Sequence, residues 1–181
     1  MKHRLFVVIN IPEELKGIII SKFLPEIDSG NLRWIPETNW HLTITFLGYQ
    51  PEESIKNILS AISNLAQNNP APIIELESIK AVPPESPRMI WISGDKKTSQ
   101  ILGRIKINLE KLLSENGIKF QRNFKSYNSH ITLARFSEPI NIPKIILPLK
   151  LKFKSKSIEL MESHLSPAGA KYKVIESMDF N

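Results

Sequence analysis

An α+β fold is predicted by three features of this sequence. Two stretches carry apolar residues at helical spacing over several turns, and shorter β-branched stretches are separated by Pro- and Gly-marked turns. The third feature is a strand-like motif that occurs twice, as His41-Leu42-Thr43-Ile44 and His130-Ile131-Thr132-Leu133, 89 residues apart. A repeat of that length without close identity suggests one domain over residues 1–181 made of two lobes, each contributing one motif, related by a pseudo-two-fold axis.

Taken in order, residues 4–9 are apolar and β-branched enough for a buried strand. Pro12, then Glu13 and Glu14 in a first turn, with Leu15, Ile18, Ile19 and Phe23 at helical spacing, predict a helix that ends before Pro25. Leu32 to Ile35 reads as a short strand, and Pro36 to Asn39 as the turn into Trp40 and the first motif. Glu52 to Gln67 is the clearest helix, with Ile55, Ile58, Leu59, Ile62 and Leu65 on one face and Asn68-Asn69-Pro70 closing it. Ile73 to Val82 and Arg88 to Ile92 are strand candidates around a Pro-rich loop at 83–87. Thr98 is a plausible N-cap for a second strong helix that Gly117 ends. Residues 137–150, with Pro139, Pro143 and Pro148, read as an irregular crossing segment. The remaining strands are Leu151 to Ser155, Ser157 to Leu165 and Tyr172 to Met178, with Pro167-Ala168-Gly169-Ala170 as a hairpin turn.

On an extended strand side chains alternate, so the His and Thr of each motif share one face while Leu42 and Ile44, or Ile131 and Leu133, point to the other. One face is free for chemistry and the other packs. With four His and five Thr in the chain, two or more His-x-Thr pairs would arise by chance roughly half a percent of the time. A single copy would read more naturally as a hydrogen-bonded histidine at a strand edge.

At 181 residues, with 41% hydrophobic and 23% charged residues, the chain can bury a sizeable core. Its formal charge of +6 and pI near 9.5 suit a polyanionic partner without identifying one. The absence of cysteine excludes disulfides, thiol nucleophiles and Cys-ligated zinc. The apolar run Leu5–Ile9 is too short for a signal peptide and meets Pro12-Glu13-Glu14 with no small-residue cleavage site. No stretch is long enough for a membrane span. The expectation is a cytoplasmic monomer with no membrane association.

The twin motif resembles that of the 2H phosphoesterases. The opening Arg4 to Ile9, Arg33-Trp34-Ile35-Pro36, Pro87-Arg88-Met89-Ile90-Trp91 and Leu165-Ser166-Pro167 through Tyr172 resemble the RNA 2′,3′-cyclic phosphodiesterase branch, also called 2′-5′ RNA ligases. One departure is Ser129, where the family pattern usually has Pro before the second His, which makes the approach to His130 less rigid. The resemblance implies antiparallel sheets with outer helices and motif strands lining a central cleft. It implies as substrates RNA ends or nucleoside 2′,3′-cyclic phosphates, with His41 as proton donor to the leaving 3′ oxygen and His130 as proton acceptor from water, leaving a 2′-phosphate.

The residues fit that chemistry on their own terms. Opening a cyclic phosphate needs a base on one side of phosphorus and an acid on the other, and histidine serves as either near neutral pH. Thr43 and Thr132 would donate to the non-bridging oxygens. No metal or cofactor is expected, since neither histidine has an Asp, Glu or Cys at ligand spacing and no glycine-rich phosphate loop exists. Arg135 could clamp phosphate, but on a regular strand it faces away from His130, and only a bulge or the strand end would bring it round. Structural pairing and substrate contact both stay open for it.

Tyr49, Phe46, Trp34, Trp40 and Phe124 are candidate base-stacking rings that read more simply as core, Phe46 because it shares parity with Leu42. His3 and His164 lack a Thr partner, and Ser163-His164 lacks a nucleophile elbow, so both histidines read as structural. Lys150, Lys152, Lys154 and Lys156 fall on one strand face, either a solvated outer face or a phosphate-tracking groove. Two alternatives to hydrolysis stay in view: 2′-5′ ligation of tRNA-half-like ends, and non-catalytic binding of RNA ends.

Overall fold

The computed structural model describes residues 1–27, 32–122, 126–136, 146–166 and 169–181. Strands run β1 Lys2–Asn10, β2 Leu32–Trp34, β3 His41–Pro51, β4 Ile73–Val82, β5 Met89–Gly94, β6 His130–Phe136, β7 Ile146–Lys154, β8 Ser157–Ser166 and β9 Gly169–Asp179. The α-helices are α1 Glu13–Lys22, α2 Ile55–Gln67 and α3 Lys96–Glu115. The strands form two fully antiparallel sheets, one ordered β3-β1-β8-β9 and the other β2-β6-β5-β4-β7. Setting aside the three-residue β2, each sheet is a four-strand run with a motif strand, β3 or β6, at one end.

A continuous apolar core lies on one face of both sheets. Leu5, Val7 and Ile9 of β1, Ile90 and Ile92 of β5, and Leu42, Ile44, Ile131 and Leu133 of the motif strands meet the apolar stripes of α2 and α3 there. Fully burying a Leu or Ile contributes about 1.5–3 kcal/mol, so the four motif residues strongly fix which face of each strand turns inward. The opposite face is left to the cleft.

Several boundaries differ from the sequence reading. Asp95, not Thr98, caps α3: its carboxylate accepts the Thr98 backbone N–H at 2.7 Å. Pro148 does not interrupt strand structure, because β7 is the edge strand of its sheet and a residue there can do without a ladder N–H. Residues 137–145, Phe124 and the Pro167-Ala168 part of the expected hairpin lie outside the described residues. Lys150, Lys152 and Lys154 alternate outward along β7, with Lys152 paired to Glu75 at 2.7 Å, as a solvated face would have it.

Phe46 is the clearest correction. It is not core but 64% exposed. The ladder between β1 and β3 shifts between Val7–Thr45 and Val8–Thr43, leaving Ile44 as an extra residue. Ile44 and Thr45 are consequently both buried, and alternation resumes with Phe46 on the face of His41 and Thr43. The inward Thr45 hydroxyl donates to Glu110 of α3 at 2.9 Å, and Lys106 lies 2.6 Å from the same carboxylate oxygen. Left unpaired, that hydroxyl would cost about 1–3 kcal/mol.

Candidate active site

The second motif strand bulges at the same place. The β5–β6 ladder shifts between Trp91–Thr132 and Ile90–Ala134, so Leu133 is the extra residue and both Leu133 and Ala134 are buried. Arg135 is thereby turned onto the face of His130 and Thr132, where it is exposed and its Nη1 donates to Met89 Sδ at 3.4 Å. Phe46 and Arg135 occupy corresponding positions, three residues beyond their motif threonines.

Both imidazoles are held alike. His41 Nδ1 donates to the Asn39 carbonyl at 2.8 Å, and His130 Nδ1 donates to the Asn128 carbonyl at 2.8 Å. In the neutral ring this places the proton on Nδ1 and leaves the Nε2 lone pair free to act. Nε2 of His41 lies 3.1 Å from Thr43 Oγ1. The Tyr127 hydroxyl donates to the Thr43 carbonyl at 2.7 Å, tying the approach to the second motif directly to the first. His41 senses the second ring: burial holds it down at about 4, and the charge of His130 adds to the lowering, as does Lys16. Burial lowers His130 as well. Both shifts favour the neutral imidazole.

Their surroundings differ. His41 lies among aromatic rings, 5.3 Å from Phe6 and 5.4 Å edge-on to Tyr172, and Phe46 extends the cluster 6.1 Å from Phe6. His130 is stacked on Trp91 at 3.7 Å with an 18° tilt between planes. Tyr49 is 64% exposed, opposite Arg4 in the ladder. Trp40 and Trp34 do pack with the core, and the Trp40 indole N–H donates to the Ile35 carbonyl at 2.9 Å.

Ser129 does not leave His130 loose. Its backbone N–H donates to Ser99 Oγ at 3.1 Å and the two hydroxyls lie 2.8 Å apart, while its carbonyl accepts the Gly94 N–H at 3.0 Å. A proline could not make the first of these bonds. A Cβ at Gly94 would crowd the Ser129 hydroxyl and the Thr98 methyl, so glycine leaves room for this approach.

Sequence reasoning missed Lys16, Phe6, Tyr127, Trp91, Ser99 and Tyr172 as neighbours of the site. Lys16 is buried, paired to Glu13 at 2.7 Å. Phe6 could have been found by extending the parity of Arg4 and Val8; Ser99, Trp91 and Tyr127 carry no local signal. His3 and His164 are elsewhere, bracketing Glu162 at 2.7 and 3.1 Å. Burial works against that carboxylate's charge, but the hydrogen bond from His3 and the nearby His164 hold it below its usual range. Among the described residues no group of three His, Cys, Asp or Glu side chains could hold a metal ion, and no helix is long and apolar enough to cross a membrane.

The chain matches the family model described as LigT like Phosphoesterase over residues 19–91, a stretch that includes the first motif and stops short of the second. It is 31% identical to an RNA 2′,3′-cyclic phosphodiesterase of Methanocaldococcus jannaschii, over 96% of this chain and 98% of the relative. A protein of the same description from Thermus thermophilus is 26% identical over 96% of this chain and 88% of the relative. Among solved structures, TT0787 of Thermus thermophilus superposes with a TM-score of 0.79 at 26% identity, covering 98% of this chain and 97% of that one. LigT of E. coli, complexed with 3′-AMP, shares the fold at a TM-score of 0.81 and 22% identity, over 100% of this chain and 99% of that one.

Proposed function

The chain belongs to the LigT-like phosphoesterase family, and from that premise we propose that it hydrolyses RNA 2′,3′-cyclic phosphate termini to 2′-phosphomonoesters by two-histidine acid–base catalysis. The observation that carries this reading is the matched pair of imidazoles, each on its motif strand with Nδ1 tied to the carbonyl two residues back, with the charge of His130 felt at His41.

Water attacks phosphorus from the His130 side and gives its proton to His130 Nε2. The P–O3′ bond breaks, and O3′ takes a proton from His41 Nε2. The products are a 2′-phosphomonoester and a free 3′-hydroxyl, with the protonation states of the two rings exchanged until solvent restores them. Thr43, Thr132 and Arg135 stabilise the non-bridging oxygens as charge grows on them. Burial favours the neutral form of both rings, and the phosphate anion of the substrate raises the pKa of His41 so that it can hold the proton it gives to O3′. The aromatic wall around His41 suits the ribose and base that remain on the leaving-group side.

The test is product analysis with a mononucleoside 2′,3′-cyclic phosphate, run with and without chelator. A 2′-monophosphate at an unchanged rate in chelator supports the scheme. A 3′-monophosphate overturns the acid and base assignment, and no turnover overturns the activity.

A further inference from the structure

Among the described residues, Trp91 makes the closest ring contact at either histidine. It stands opposite Thr132 in the β5–β6 ladder and reaches diagonally onto His130, whose own ladder partner is Ser93. The two ring centroids are 3.7 Å apart with 18° between the planes, closer than the roughly 4.5–7 Å at which aromatic pairs usually settle. Neutral rings prefer an offset or edge-on approach, whereas a cation is drawn over the ring face, most strongly over indole. The indole Nε1 is buried and unpartnered among the described residues. A buried donor without an acceptor costs free energy, and phenylalanine would fill the same wall without that cost. What indole adds is the stronger pull on a positive charge above its face.

Little else around His130 would welcome such a charge. Its Nδ1 donates to a neutral carbonyl, that of Asn128, and among the described residues no carboxylate bonds the ring. The groove that opens beside it is lined by Lys80, Lys96 and Arg104 against the single carboxylate of Glu77. Arg135 shares its face of β6, and His41 is on the other motif strand. Tyr127, its hydroxyl given to the Thr43 carbonyl, is pushed up by burial and stays neutral. His41 has no parallel ring of its own: Phe6 is tilted by 44° and Tyr172 by 75°.

We propose that Trp91 is a positioning residue for the reaction: its face fixes the plane of the His130 imidazole and stabilises the positive charge that ring takes on as water gives it a proton. The inference rests on the reading of His130 as the proton acceptor. It gives the two histidines different tasks. The ring laid over indole is the better place for a proton to arrive, and the ring without a parallel neighbour is the better place for one to leave.

The test is titration of both histidines by NMR in the wild type, Trp91→Phe and Trp91→Leu, with kcat and KM for a mononucleoside 2′,3′-cyclic phosphate measured on the same samples. Loss of the indole face should lower the pKa of His130 by about one pH unit in Trp91→Leu and about half as much in Trp91→Phe, leaving His41 in place. A wall that merely packs predicts the opposite sign, because water entering beside a smaller side chain relieves the burial that lowers His130. The kcat should fall about tenfold in Trp91→Leu and about threefold in Trp91→Phe, with KM held within about twofold. A His130 pKa that rises or stays in place, or equal kcat losses in the two variants, overturns the role. If Trp91→Leu does not fold, Trp91→Phe decides alone by the sign of its shift. If the wild type turns over no substrate, the activity reading fails, and the direction of the His130 shift still decides what the indole face does.

Discussion

The two motif strands are alike in backbone and unlike in company. Each carries His-x-Thr, each bulges at the residue after the threonine, and each fixes its imidazole through the carbonyl two residues back. Beyond the bulge one strand presents Phe46 and the other Arg135. Around one histidine lie Phe6 of β1 and Tyr172 of β9, and against the other a stacked Trp91 of β5. The backbone makes the two rings equivalent in placement, and their surroundings give the proposed base and the proposed acid a reason to differ. Two identical half-sites would have no way to choose a direction across phosphorus.

Removing either ring strikes hardest at that pairing. His41→Ala and His130→Ala should each lower kcat by about 10²–10⁴-fold with an unchanged far-ultraviolet circular dichroism spectrum, and the double variant should be little worse than either single. Replacing a threonine spares the imidazoles: Thr43→Val or Thr132→Val should cost on the order of 10²-fold in kcat if each hydroxyl serves the transition state. A loss confined to KM would reassign them to ground-state binding.

The comparison can be sharpened by titration. His41 should titrate near 4 in the free protein by NMR, and its pKa should rise when inorganic phosphate is added. Because the unfolded chain takes up that proton near 6.5 and the folded chain only near 4, the unfolded state binds more protons between those values. Stability is therefore full above about 6.5 and is lost as pH falls through that window, by on the order of 2 kcal/mol. Urea midpoints at pH 7 and pH 4.5 measure it, and the His41→Ala variant should lose part of the difference.

The smallest effect is expected at Ser99. Ser99→Ala removes the acceptor for the Ser129 N–H and should lower stability by about 1 kcal/mol and kcat by a few-fold without moving KM. If kcat is unaffected, the bond is structural and does not position His130.

Much of this was legible from residue order. The stripes of α2 and α3, and the parity that puts His41 with Thr43 and His130 with Thr132, are local patterns that burial enforces. Phe46 and Arg135 were not legible in that way, because parity assumes an unbroken ladder and both strands slip by one residue. A polar residue at an inward parity position, Thr45, only makes sense once Glu110 is known to meet it. The first part of β7, residues 146–150, was read as irregular because a proline counts against a central strand, and nothing local marks a strand as an edge. Ser99 and Tyr127 reach the site only through pairings that sequence order does not display.

The apolar interior behind the cleft belongs to both sheets at once, with Ile9 and Leu160 in the same cluster as Ile92 and Leu149. Leu42 and Ile44 of one motif strand and Ile131 and Leu133 of the other pack into that same layer, so the strands that carry the imidazoles share one interior. Mild denaturant should not loosen the enzyme by degrees: turnover and near-ultraviolet ellipticity should vanish in one transition, with the grip on phosphate failing only when the whole layer comes apart.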